Sequence, residues 1–575
     1  MRRFPTTLTF TLPLLLPLGA RPAFAHGFGQ RYDLPVPLWL YLFGSAAAVL
    51  LSFVVLGLFV GEGSVTHRYP RFNLLRVRWF RVVFAGRPLL VGLSLLSVAL
   101  FFLVILSGLL GDRAPDNNLA PTFVWVIWWV GLGFLAAFVG NFWELVNPWK
   151  ILFEWIEGLA RWLGAEKGLG PYEPYPAGWG VWPALALFFG FAWVELVFTG
   201  SYSPFYIAVL ALLYSVITWG GMVLFGKDAW LRGGEAFSVF FGILARFAPT
   251  EVRVTAPETV CRDCGAACRD DEGDCVNCYE CFAWAKPVDR ELNLRPPAVG
   301  LARPEHVPPG GLVFVVFALA SVTFDGLLET SLWSGLLRSV TFPETLGLIS
   351  VPLLFLALYL GFVKLSQLLG GGAGRLGRFA SAYVYSLVPI AIAYQLAHYY
   401  TFFLAQGQRI VHLISDPFGW GWNLFGTAGY GLNAVIIEAD FVWYSQIALI
   451  VAGHVVAVYL AHLVALRLFE DRRKALQSQL PMLVLMILYT VFSLWILSQP
   501  VVEESNVAAA PPEEVITAPP DEVAPIPPDR TGLMPKAGLP KTEPRMPAPP
   551  LSERPLPESP APKSSPADPP TPAAP

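Results

Sequence analysis

Runs of about 20 consecutive apolar residues recur along this 575-residue chain and restrict it to very few folds. A helix of that length crosses a hydrocarbon core of roughly 30 Å. Lipid offers the backbone no hydrogen-bond partner, so only helices and closed barrels can span it, and these runs lack the alternation of a barrel strand. Composition agrees. Hydrophobic residues make up 55% of the chain and charged residues 14%, below the roughly one quarter that covers a water-facing surface. The sequence therefore predicts an all-α, polytopic transmembrane helix bundle whose first partner is the lipid bilayer. Spans are expected at 37–60, 89–111, 121–140, 181–198, 205–226, 311–332, 349–370, 379–405, 442–468 and 481–498. A formal net charge of −3 gives no sign of a nucleic-acid partner.

Export signals and loop charge set the expected orientation. Arg2 and Arg3, an apolar stretch over residues 9–19 and Ala23-Phe24-Ala25 read as a cleaved signal peptide, 1–25. Cleavage there makes His26 the mature N-terminus, on the outside. The first loop carries Arg68, Arg71, Arg76, Arg78, Arg81 and Arg87, and Arg472, Arg473 and Lys474 follow the ninth span. The opposite loops, 112–120 and 406–441, carry only Arg113 and Arg409. This asymmetry puts the Arg-rich loops in the cytoplasm of an inner-membrane protein with both termini outside. The expected organisation is five spans within 26–226, a cytoplasmic Cys-rich insert over 227–310, five spans within 311–498 and a tail over 499–575. The tail is dominated by Pro, Ala and Glu and is expected to be disordered. An amphipathic stretch over 151–163 is expected to lie on the inner membrane surface.

All six cysteines fall in the insert: Cys261, Cys264, Cys268, Cys275, Cys278 and Cys281. A reducing cytoplasm disfavours disulfides, and thiolate pairs two residues apart suit a tetrahedral metal. Structural zinc on four thiolates is one reading. An iron–sulfur cluster is the other, since Cys275-x2-Cys278-x2-Cys281 begins like a ferredoxin run, although Ala285 stands where a fourth cysteine belongs. Free thiols in a loop are the bland alternative.

Ionisable groups inside spans cost about 2.5 kcal/mol or more and point to function. Glu195, Asp325, Glu329, His398, His454 and His462 lie in spans, while His412, Asp416, Glu438 and Asp440 lie in the loop before span nine. His398, His412, Asp325 and Asp416 are the expected catalytic group toward the outer face, able to hold a second divalent metal or act as acid and base. His454 and His462, two turns apart, could bind haem b, and His26 could chelate copper through its amine and ring. Each histidine alone could equally tie helices together.

Several stretches resemble a family of bacterial membrane proteins described as fenitrothion hydrolase. They are HGFGQRYDLPVPLWLYLFGSA from His26, Asn141-Phe142-Trp143-Glu144 with Asn147-Pro148-Trp149, Cys278-Tyr279-Glu280-Cys281-Phe282 and ELNLRPPAVGLARPE from Glu291. Phe324-Asp325-Gly326, LAHYY from Leu396, SDPFGWGWNLFGTA from Ser415 and AGHVVAVYLAH from Ala452 complete the likeness. It covers the membrane body and excludes the signal peptide and tail. The resemblance implies a membrane-bound organophosphate hydrolase, with a possible second, different subunit, cleaving an apolar aryl phosphorothioate triester. It transfers no catalytic residues. The chain has no HExxH or GxSxG motif. Two other classes stay open: a redox or metal-handling membrane protein, and the membrane anchor of a larger complex.

Overall fold

A computed structural model describes residues 37–61, 69–84, 86–165, 168–261, 269–270, 272–303, 307–336, 341–432 and 438–499. His26, Cys264, Cys268, the signal-peptide segment and all but the first residue of the tail lie outside this set. Among the described residues, nine helices are long and apolar enough to cross a membrane, so the chain is an all-α multi-pass membrane protein. They are α1 (Leu38–Phe59), α2 (Arg87–Leu110), α3 (Leu119–Phe138), α6 (Pro204–Phe225), α8 (Pro309–Leu328), α9 (Pro343–Leu369), α10 (Leu376–Gln406), α11 (Ala439–Leu468) and α12 (Arg472–Leu497). The fourth expected span, 181–198, is a shorter apolar helix, α5 (Trp182–Leu196), preceded by the amphipathic α4 (Pro148–Trp162). Proline in the first turn of α2, α4, α5, α6, α8 and α9 starts each helix where a missing N–H costs nothing.

Packing does not follow chain order. α1 docks on α11 and α12, at the far end of the sequence, α2 packs on α6 with the start of α3 beside both, and α5 packs on α8. Small residues allow close approach where lipid gives no hydrophobic drive. A Cβ on Gly108 of α2 would lie 2.4 Å from the Pro204 carbonyl oxygen of α6, and one on Gly453 of α11 would lie 2.3 Å from Cβ of Ala393 on α10.

The insert departs from the expected single cytoplasmic unit. Its first part re-enters the bundle as α7 (Ala236–Leu244), whose Phe237, Phe240 and Phe241 are buried among Trp128, Trp129 and Phe188. The sequence AFSVFFGIL is too apolar to stay in water and too short to cross, so it ends inside. Glu235 caps it, its carboxylate accepting from the backbone N–H groups of Phe237 (2.9 Å) and Ser238 (2.7 Å) and from the Tyr214 hydroxyl (2.5 Å).

The remainder builds a four-stranded antiparallel sheet in the order β1-β4-β2-β3, from β1 (Phe72–Asn73), β2 (Thr250–Val254), β3 (Cys275–Val276) and β4 (Arg290–Leu294). β1 comes from the Arg-rich first loop and pairs Phe72 with Leu294 and Asn73 with Asn293. Below the sheet, buried Arg295 donates to Glu251 (2.7 Å), which also accepts from the Tyr69 hydroxyl (2.7 Å). Buried Arg253 meets Asp270 (2.5 Å), Asp274 (2.8 Å) and Glu272 (3.4 Å). Burial opposes the Arg253 charge, yet the Asp274 hydrogen bond and the fields of Asp270 and Glu251 outweigh it and raise its pKa. Burial, then Glu251, likewise pushes the Tyr69 phenol up.

Removing one member of such a network strands a buried charge. Glu251→Leu is expected to cost about 3–5 kcal/mol, read as a lowered Tm in detergent and faster proteolysis between residues 250 and 295. A loss under about 1 kcal/mol would show that the pair does not hold this sheet together.

Candidate functional site

The expected catalytic residues separate into a pair that meets and a pair that does not. Asp325 lies sixteen residues into α8, roughly 24 Å along it from the end that follows the insert. It is 1% exposed. Its Oδ2 lies 3.0 Å from His398 Nε2 and accepts a short hydrogen bond from the Tyr399 hydroxyl, both on α10. The LAHYY sequence places His398 and Tyr399 side by side, so both rings reach the same carboxylate. Tyr394, one turn earlier, stacks near the imidazole with centroids 6.1 Å apart.

Two further carboxylates lie within electrostatic reach. Glu329 follows α8, and Glu195 comes from α5. Glu195 accepts a hydrogen bond from the Trp129 indole at 2.7 Å. Trp129 belongs to a π-helical stretch of α3, Thr122–Gly131, the kind of helix widening that recurs at functional sites. The acid–base cluster therefore sits among α3, α5, α8 and α10. Sequence reasoning marked Glu195 and Glu329 as costly but left them out of the catalytic group. Only the fold brings them toward Asp325.

Asp416 does different work. Its carboxylate accepts from the backbone N–H groups of Trp420 (2.9 Å), Gly421 (2.6 Å) and Trp422 (3.0 Å). Ser415 Oγ accepts from Phe425 (3.1 Å) and Thr427 (3.2 Å), and the backbone of Pro417 and Phe418 pairs with Leu119 and Asp112. The SDPFGWGWNLFGTA motif thus folds a loop onto the turn before α3. His412 lies in a short helix, Arg409–Leu413, with Nδ1 buried and without a hydrogen-bond partner. Among the described residues, His398, His412, Asp325 and Asp416 form no group of three ligand atoms within 4.8 Å, so the expected second metal site is not assembled.

The span-nine histidines also differ. His462 Nδ1 faces Gln479 Oε1 at 2.8 Å and Nε2 faces the Val60 carbonyl at 3.1 Å, binding α11 to α12 and to the end of α1. Both of its ring nitrogens thus lie against oxygens of the protein. His454 contacts the Ile450 carbonyl through Nδ1 at 2.8 Å and leaves Nε2 buried without a partner.

Two other places bear on ligands. In the sheet domain, Cys261, Cys275 and Cys281 are buried with their sulfurs within 4.8 Å of one another, and Cys278 packs against them. Asp270, Glu272 and Asp274 also cluster, but Arg253 and Arg71 already neutralise them. In the bundle, a cavity of about 580 Å³ is lined by apolar side chains of α2, α3, α5 and α6, with Trp128, Trp143, Trp149 and Phe237 in its wall. The Trp143 and Trp149 indoles donate inward, to Glu235 (3.4 Å) and Ser215 (2.8 Å), so they offer no donor to an occupant. Phe191 lines the cavity and packs on Trp129 at 4.7 Å, and Trp129 in turn donates to Glu195.

Asp416→Ala is expected to speed amide exchange of Trp420, Gly421 and Trp422 by about tenfold or more, since charge-assisted hydrogen bonds contribute roughly 1.5–3 kcal/mol each. Unchanged exchange there would return Asp416 to the catalytic candidates. Comparison with known proteins adds no constraint: no family model matches the chain, and no match was found among curated proteins or solved structures.

Proposed function

We propose that this chain is a membrane-embedded hydrolase in which His398, oriented by Asp325, acts as general base on a neutral, apolar ester. The observation that carries the reading is the buried Asp325–His398–Tyr399 contact, a base hydrogen-bonded to the group that orients it. An Nε2–H donated to Asp325 leaves Nδ1 as the bare nitrogen that can take a proton. With an aryl phosphorothioate triester, the substrate class the family resemblance implies, the step balances simply. Water oxygen bonds to phosphorus and its proton passes to His398. The bond from phosphorus to the aryl oxygen then breaks, and the phenolate leaves with that proton. Developing charge on the thiophosphoryl group needs donors, and the Tyr394 hydroxyl, buried without a hydrogen-bond partner, is the one at hand, since Tyr399 already donates to Asp325.

The apolar cavity supports the same reading. It gives a hydrophobic substrate a place among the helices, connected to Glu195 through Phe191 and Trp129. Loop charge supports an inner-membrane location with the sheet domain in the cytoplasm and the acid–base cluster toward the outer face.

General-base catalysis is worth roughly 10²–10⁴-fold. His398→Gln and Asp325→Asn are each expected to lower kcat for a chromogenic aryl triester by at least about 100-fold, with expression and Tm retained. Full turnover in both variants would end the assignment. Gly190 lines the cavity and has open space where a Cβ would go. Gly190→Leu should therefore be tolerated by α5 while raising KM for bulky esters severalfold with kcat little changed. An unaltered KM would separate the cavity from the reaction.

A further inference from the structure

We infer that the sheet domain holds a single tetrahedral metal ion of the zinc class, with Cys261, Cys275 and Cys281 as three of its ligands. The three residues come from separate elements: the turn after β2, the start of β3 and the helix Tyr279–Trp284. Burial of three thiols in one cluster, beside Val254 and Ala285, gives a site that excludes water. Their spacing decides between the two metal readings. Zinc–sulfur bonds of about 2.3 Å set tetrahedral sulfurs roughly 3.8 Å apart, so three sulfurs mutually within 4.8 Å need little adjustment to share one ion. In a four-iron cluster each thiolate sits on its own iron, and in a two-iron cluster no iron takes three, so cluster ligands spread wider than these. Binding replaces each thiol proton with a metal–sulfur bond, and the protons leave to solvent.

The ion would join the turn after β2 to β3 and the following helix, so it would close the open end of the sheet that β1 completes from the first loop. Nothing in this inference depends on the hydrolase reading.

The test uses the full-length protein purified in detergent. Elemental analysis should find one zinc per chain, without acid-labile sulfide, and Cys261→Ser, Cys275→Ser and Cys281→Ser should each lose at least nine tenths of it. Glu272→Gln, in the neighbouring acidic cluster, should keep its metal. Because the serine variants can misfold, wild-type protein is also alkylated before and after chelation, with modified residues mapped by mass spectrometry. Cys261, Cys275 and Cys281 should react at least tenfold faster once zinc is removed and regain protection when zinc alone is added. Iron with stoichiometric sulfide would overturn the assignment, as would thiol reactivity that ignores zinc.

Discussion

Hydrocarbon supplies no hydrogen bonds, and a polar group carried into this bundle is stabilised chiefly by partners within the protein. That constraint orders the structure. It makes the spans helical, caps the inward end of α7 with Glu235, ties both nitrogens of His462 to oxygens on other helices, and draws the Trp129 indole to Glu195. It also concentrates chemistry. Asp325, His398 and Tyr399 satisfy one another, and the same mutual satisfaction fixes the geometry a general base requires.

Much of the bundle was legible in the sequence, because span length and apolar continuity respond directly to membrane thickness. Each expected span is occupied by a helix, although α5 is shorter than its apolar block and α12 begins nine residues before the expected start, its first turns charged. What could not be read was partnership. No periodicity says that α1 packs on α11 and α12, or that two residues of the first loop become an edge strand of the insert. The insert's own first helix was lost for a similar reason: AFSVFFGIL is below spanning length, and hydropathy has no signature for a segment that enters and stops.

The candidate site divided along the same line. Asp325 and His398 were expected together and lie together, since each sits at a corresponding depth on a long helix. Asp416 was grouped with them for its residue type and its place in the outer loop, yet the SDPFGWGW sequence gives it a local role: an Asp before glycine-rich turns finds backbone N–H groups nearby. Glu195 was visible as a costly charge but had no assigned partner, because its place beside Trp129 depends on the π-helical widening of α3.

The docking of α1 on the last two helices has a bearing on biogenesis. The Val60 carbonyl and His462 are 402 residues apart, and ribosomes add roughly 5–20 residues per second, so the first helix waits on the order of half a minute before its partners exist. During that interval it stands in lipid without these partners, and the first-loop strand has β4 to pair with only once Leu294 has been made. The apolar face α1 presents in all directions is what lets it wait there safely. Docking of the first helix is consequently a late event of synthesis, whereas its loop can be clasped as soon as β4 has been made.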